Sequence, residues 1–320
     1  MKRILLSVVC LAAAASQAQV KWDLPTGYAA NTFQTQNNQQ FAKEVDELTG
    51  GKLKITLHPG GSLYKANEIK RAVQTGQVPA AEFILSGAAN ENPLFGIDSI
   101  PFLATSYADS KRLYQAAKPA QDKLLASQGI KVLFTVPWPG QSLYSLKPIN
   151  TPADFAGTKM RAYNPATTRI AQLLKAQPVT IQLAELGQAL ATGGVQNFLT
   201  SSASGVESKL HEQVKYFYPV SAWLPRNATV VSQKAFDALD KPTQEAVLKA
   251  AAAAEARGWA TSEKLDGEYI KELGAKGMTI AAPSDAVKKA LADIGETMTA
   301  EWLKTAGAEG QAVIDAYRKP

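Results

Sequence analysis

Short apolar segments of strand length alternate with amphipathic segments of helix length along most of this 320-residue chain, and that alternation admits few folds. Residues 20–24, 53–57, 82–85, 130–136 and 159–163 read as strands, and so do 178–181, 195–199, 216–218 and 229–231. Between them, Phe41, Val45 and Leu48 recur at helical spacing and stop at Gly50-Gly51, and Ile69 and Val73 share one face of a short helix. Residues 109–127 read as a helix, and Pro165 opens another. The last third changes character. Residues 242–273 form an alanine-rich run predicting one long helix, and Val287, Leu291, Ile294, Met298 and Trp302 repeat at helical spacing. The fold class is therefore α/β. With no internal repeat and no flexible linker, two lobes must be joined by several crossovers, as in a hinged cleft protein.

The first 18 residues stand apart. Lys2 and Arg3 precede a 12-residue apolar stretch, residues 4–15, and Ser16 and Ala18 place small residues at the −3 and −1 positions of a cleavage site. This is the pattern of a secretory signal peptide, and the stretch is shorter than the ~18 apolar residues of a membrane span. Cleavage after Ala18 would remove the single cysteine, Cys10, and lower the formal net charge from +6 to +4. A disulfide scaffold and any multi-thiolate metal site are excluded by that cysteine count. The expected product is exported, periplasmic and not membrane-embedded.

The motifs of several chemistries are missing. There is no glycine-rich phosphate loop, no Walker lysine and no Gly-x-Ser-x-Gly elbow. The two histidines, His58 and His211, form no metal-ligating pair. Lys and Arg are scattered without a basic run, so nothing points to nucleic acid, and no cofactor is implied.

The segment Thr151-Pro-Ala-Asp-Phe-Ala-Gly-Thr-Lys-Met-Arg161 resembles the "TPxDLKGxKxR" pattern of substrate-binding proteins of tripartite ATP-independent periplasmic (TRAP) transporters. The resemblance continues through Ala176-Gln-Pro-Val-Thr-Ile, Glu185-Leu186 and Gln188-Ala-Leu-Ala-Thr-Gly-Gly-Val195. Upstream it includes Gly60-Gly-Ser-Leu, Glu68-Ile and Ile100-Pro-Phe-Leu103. It implies a bilobed, Venus-flytrap binding protein, acting as a monomer, that delivers an organic acid to a membrane permease. A long helix braces both lobes in this family, a role that suits 242–273. The implied division is 19–141 with 226–273 as lobe I, and 142–225 with 274–320 as lobe II.

The family's ligand-anchoring arginine falls on Arg161, and a guanidinium at a strand end can meet a carboxylate with two parallel hydrogen bonds. A second arginine of many members falls at or near Gln141, and an asparagine that often contacts ligand falls on Thr200. Losing one cation and one amide points away from dicarboxylates. One carboxylate on a neutral or apolar body, such as a hydroxy, keto or aromatic acid, fits better. Phe33, Trp138, Tyr144, Tyr163, Phe198 and Trp223 sit at strand ends expected to face the cleft, with lobe-core packing the competing reading for each. Tyr163 shares the face of Arg161 if the strand persists. Ser201, Ser202, Asn90 and Glu91 are candidate hydroxyl-reading partners, or turn formers. Two other functions stay open at this level: an ABC-transporter binding protein, and an exported lyase or hydrolase with Glu91 or Asp98 as its acid or base.

Overall fold

The computed structural model describes residues 19–319; the signal-peptide reading of residues 1–18 lies outside them. The chain opens with strand β1 (Val20–Pro25), helix α1 (Phe33–Leu48) and strand β2 (Leu53–His58). Thr32 caps α1 by accepting the Thr35 N–H on its side chain, which sets where the chain turns into the helix. Next come α2 (Ile69–Gln74), β3 (Ala80–Ile84), α3 (Tyr107–Ser127) and β4 (Ile130–Pro137). The chain then crosses to a second body made of β5 (Ser142–Ser145), β6 (Lys159–Ala162), α4 (Pro165–Leu173) and β7 (Gln177–Thr180). That body continues through α5 (Leu186–Ala191), β8 (Asn197–Thr200), α6 (Ser202–Glu207) and β9 (Tyr216–Tyr218). It returns through β10 (Arg226–Ser232) and α7 (Gln233–Asp237), and ends with α8 (Lys241–Ala275), β11 (Thr279–Ile280) and α9 (Asp285–Arg318).

Two lobes result. In the first, β1 and β2 pair in parallel, β3 and β4 flank β10 antiparallel, and a bridge from Thr26 to Glu82 ties the two sheets edge to edge. The second lobe is one six-stranded mixed sheet in the order β11-β9-β5-β8-β6-β7. Both faces of each lobe's sheet are covered. Trp22, Phe41 and Phe134 pack toward α1 and α8, and Phe83, Phe95 and Ile130 fill the opposite side. In the second lobe Met160, Leu199 and Trp223 pack toward α4 and α9, while Tyr144, Phe198 and Phe217 pack on the other face. Strand alternation produces that division, because neighbouring residues on β8 point to opposite sides.

The lobes are joined by two extended crossovers lying side by side. Trp138 donates its N–H to the Pro225 carbonyl (2.8 Å), and Gln141 and Ala222 exchange further bonds with Trp223 and Gln141 carbonyls, each 2.8 Å. The approach is so close at Gly140 that a Cβ there would lie 2.1 Å from Ser221 Oγ. Ser221 itself sits at φ +49°, the left-handed region. Beneath the crossovers a buried ion pair, Arg226 Nε to Asp98 Oδ2 at 3.2 Å, fixes the start of β10.

The long helix expected over 242–273 is α8, 35 residues that pack on α1 and β4 and also on α6 and β11. Its glycine at 258 lets it sit against β4, since a Cβ there would meet Val136 Cγ2 at 2.3 Å. The C-terminal helix is shared as well. Val287, Leu291, Ile294 and Met298 pack in the second lobe, whereas Val313, Ile314 and Tyr317 pack on α3 and its neighbours in the first. A non-helical break at Gly307 (φ 61°, ψ −147°) separates the two stretches. Sequence periodicity missed β5, α6 and the 3₁₀ segment Pro93–Ser99, all short and without a repeat to read.

Candidate functional site

Between the two lobes lies a cavity of about 140 Å³. One water needs roughly 10–15 Å³ of such space, so the cavity suits a molecule of about ten non-hydrogen atoms. Tyr28, Lys70, Glu82 and Ile84 line it from the first lobe, Arg161, Tyr163, Gln182 and Thr200 from the second, and Trp138 and Gln141 from a crossover.

Arg161 dominates its chemistry. It lies near the end of β6, 3% exposed, with its guanidinium carbon 4.9 Å from the centre of the Tyr163 ring. Nε donates to the Ile181 carbonyl at 2.8 Å, but Nη1 is buried with no partner, and no carboxylate among the described residues pairs with the group. Burial pushes its pKa down from the ordinary arginine value to about 10. A buried cation without a counter-ion is costly, so an anion entering the cavity meets a site that lacks only its negative charge. The other cation on the wall is already neutralised. Lys70 Nζ lies 2.5 Å from Glu91 Oε2 and 2.7 Å from Gln128 Oε1.

The remaining expected residues divide by where the backbone aims them. Tyr163 shares the Arg161 face, and its hydroxyl donates to Gln141 Oε1 at 3.2 Å. Gln141 is held in turn by donating to the Pro139 carbonyl. Trp138, Thr200 and Glu91 also line the cavity. Trp138 donates its indole N–H to Asn227 Oδ1 at 2.9 Å.

Seven expected residues lie off the cavity wall. Tyr144 is fully buried and donates its hydroxyl to the Ser201 carbonyl at 2.9 Å, and Ser202 donates its hydroxyl to Asp266 Oδ1 at 2.8 Å. Phe198 points to the helix-covered face of its sheet, fully buried, with its ring 5.2 Å from that of Tyr144 and nearly parallel to it. Trp223 is buried in the second-lobe core beside Met160 and Ile170. Phe33 packs edge-on behind Trp138 at 5.2 Å, which places it in the first-lobe core. Ser201 caps α6, its Oγ accepting the Ser204 N–H, and Asn90 is exposed just past the 3₁₀ turn Leu85–Ala88. For the aromatics core packing prevailed: Phe33 opens helix α1, Trp223 lies in a crossover, and Phe198 sits too far back along β8 to reach the cavity; for the polar residues, capping and turn formation did.

Tyr28, Glu82, Lys70 and Gln182 are wall residues that the motif reading missed. Glu82 did leave a signal: it is the lone charge inside an apolar strand, Ala-Ala-Glu-Phe-Ile, where an unpaired carboxylate is seldom tolerated. Tyr28 left none, because it sits in an irregular loop after β1.

The two carboxylates weighed for an enzymatic reading are both occupied. Glu91 is paired with Lys70, and Asp98 accepts from the Arg226 backbone N–H (3.1 Å) and from its Nε. Asp98, moreover, does not line the cavity.

Comparison with known proteins agrees with this arrangement. The pattern of the bacterial extracellular solute-binding protein family 7 (DctP) matches residues 26–305. The chain belongs to that family. Among solved structures, this family-7 receptor is similar to an extracytoplasmic solute receptor of Bordetella pertussis that binds pyroglutamic acid. The two are 51% identical, with a TM-score of 0.92 and coverage of 94% of this chain and 100% of that one. A TRAP solute-binding protein from a marine metagenome, specific for pyroglutamate, is 45% identical with the same TM-score, covering 94% of this chain and 99% of that one. A solute-binding protein of Albidiferax ferrireducens is 27% identical over 80% of this chain and 77% of its own length. The chain is thus a TRAP-type solute receptor, not an enzyme. It binds a small organic acid outside the cytoplasm and works with a membrane permease. Among the described residues, no helix is long and apolar enough to cross a membrane.

Proposed function

We propose that this receptor captures a small cyclic monocarboxylic acid, with pyroglutamate the first candidate, and hands it to its permease from the periplasm as a monomer. The observation that carries this reading is Arg161, a buried guanidinium with an unpartnered Nη1 on the wall of a cavity of about 140 Å³. Its bidentate geometry matches one carboxylate, and the neutralised Lys70 leaves no cation for a second. The pyroglutamate-binding relatives at 51% and 45% identity support the choice of ring acid. Residues 1–18 serve as the export leader. The lobes, 19–141 with 226–273 and 142–225 with 274–320, turn about the paired crossovers to enclose the ligand.

The test is titration calorimetry of the chain from Gln19 onward against pyroglutamate, succinate and a hydroxy acid such as lactate. Saturable one-to-one binding of pyroglutamate, with succinate much weaker, is the expected result. Preference for succinate, or no heat with pyroglutamate, refutes the assignment. Sedimentation of the same sample reports the monomer.

A further inference from the structure

A second buried charge faces the cavity from the opposite lobe. Glu82 stands in the middle of β3, 1% exposed, and no Lys or Arg among the described residues pairs with it. Its Oε1 accepts the Asn227 side-chain N–H at 2.9 Å, and its Oε2 accepts the Thr26 hydroxyl. Each carboxylate oxygen offers two lone pairs, so one acceptor position remains on each. Asn227 is fixed in turn, because its Oδ1 receives the Trp138 indole N–H and the Tyr28 hydroxyl. Thr26 is engaged as well, its hydroxyl oxygen accepting the Tyr28 backbone N–H at 3.2 Å, so both donors to Glu82 are held in place. Burial raises its pKa above the ordinary carboxylate range, as expected for a group short of positive partners.

A structural role alone leaves this arrangement unexplained. Thr26 and Asn227 could be tied together by a glutamine of the same shape without burying a carboxylate. What a carboxylate adds is strong acceptance of an N–H and rejection of negative charge. Arg161 on one side and Glu82 on the other make the cavity a site with one cation and one acceptor.

We propose that Glu82 is the specificity-determining residue that accepts an N–H from the ligand, so that the receptor selects a ring acid carrying an amide N–H over one that lacks it. The assignment rests on the ring-acid reading above and deepens it. The chemical class is a cyclic amide bearing one carboxylate: the carboxylate goes to Arg161 and the ring N–H to Glu82. The same carboxylate repels a second negative charge on the ligand, which gives a physical reason for excluding dicarboxylates in addition to the neutralised Lys70.

The experiment compares pyroglutamate with its lactone analogue, 5-oxotetrahydrofuran-2-carboxylate. The analogue keeps the carboxylate, the ring carbonyl and the ring size, and replaces only the N–H by an ether oxygen. Sites built to bond an N–H or O–H reject analogues without it by roughly 10⁴–10⁵-fold in favourable cases. We expect the wild-type protein to bind the lactone about 10²-fold more weakly than the lactam, near the upper end of what one charged hydrogen bond contributes. In Glu82→Gln, the ratio falls to within about tenfold, while Arg161-dependent binding of the lactone persists. Equal binding of lactam and lactone by the wild-type protein, within about threefold, overturns the Glu82 assignment and leaves the ring-acid reading standing. Undiminished discrimination in Glu82→Gln overturns it equally. Should neither ring acid bind while another carboxylate does, the ring-acid reading and the Glu82 assignment fall together. The lactam–lactone ratio on wild-type protein needs no folded variant, so a Glu82→Gln chain that fails to fold leaves the test decisive.

Discussion

Replacing Arg161 by Met removes the guanidinium, and with it the contact over the Tyr163 ring, but keeps an unbranched apolar side chain in its place. The structure predicts opposite effects on the ligand-free and ligand-bound protein. Without ligand, the variant loses one hydrogen bond, Nε to the Ile181 carbonyl, worth about 1 kcal/mol. It also sheds a buried charge whose pKa is pushed down to about 10, a burial cost of order 3 kcal/mol at neutral pH. The ligand-free Tm should therefore hold or rise. With ligand, two charged hydrogen bonds of roughly 1.5–3 kcal/mol each are gone, which raises Kd about 10²–10⁴-fold. The assay is thermal unfolding at a pyroglutamate concentration of about 1,000 times the wild-type Kd, where mass action adds about 4 kcal/mol. Unfolding entropy of about 2 cal/mol/K per residue, summed over about 300 residues, converts this to roughly 6–7 °C. At the same concentration the variant should gain about 2 °C or nothing. A variant that keeps the full shift refutes the anchor. A ligand-free Tm lowered by 5 °C or more would show instead that Arg161 holds the fold.

Four further outcomes follow from particular contacts. Pyroglutamate affinity should stay flat from pH 7 to 9 and fall above about pH 10: the ligand binds the charged guanidinium, whose pKa without ligand is about 10, and calorimetry across that range checks it. Glu207 accepts the Phe33 N–H across the lobes at 2.9 Å, yet burial still raises its pKa to about 8. A raised carboxyl pKa means that the folded state keeps a proton the unfolded state has lost, so stability from this group falls as pH climbs from about 4.5 to 8. Glu207→Gln should therefore melt close to wild type at pH 4.5 and above it at pH 8. Asp98→Ala leaves the Arg226 guanidinium buried and uncompensated, and should cost about 3–5 kcal/mol in urea unfolding. Gly140→Ala drives a Cβ into Ser221 and should cost about 1–3 kcal/mol, part of it restored by Ser221→Gly, read as Tm in the single and double variants.

The sequence disclosed the architecture because architecture is repetitive. The strand–helix alternation and the alanine-rich run that became α8 repeat a pattern over many residues, and each repetition strengthens the reading. The cavity is built differently. Arg161 was legible because a contiguous motif surrounds it, and Tyr163 followed from strand parity. Phe198 was expected at the cleft because it lies at a strand end, but β8 presents Thr200 to the cavity, and Phe198, two residues earlier, packs against Tyr144 on the helix-covered face. Position along a strand decides such cases as much as parity does, and position depends on register with β5 and β6. Tyr28, Lys70 and Glu82 reach the site from three separate segments of the first lobe, and no local pattern links them. Glu82 alone carried a local clue, a charge in an apolar strand.

Set together, the charges suggest how ligand and closure are coupled. Arg161 belongs to β6 in the second lobe and Glu82 to β3 in the first. If the lobes part as proposed above, water enters the cavity whose walls carry both groups, and the cost of leaving each without a charged partner falls. With the lobes as they stand, both are buried without a charged partner, an arrangement that opposes closure of the empty protein. A ligand with a carboxylate for one and an N–H for the other removes both costs at once. It therefore binds the closed form more tightly than the open one, and that difference is what can shift the population toward closure. A carboxylate that satisfies Arg161 alone leaves Glu82 uncompensated, so it should occupy the site while closing the lobes less completely. Small-angle scattering of wild-type protein saturated with the lactam or with the lactone separates the two states. A smaller radius of gyration with the lactam is expected, and identical curves would break the link between recognition and closure.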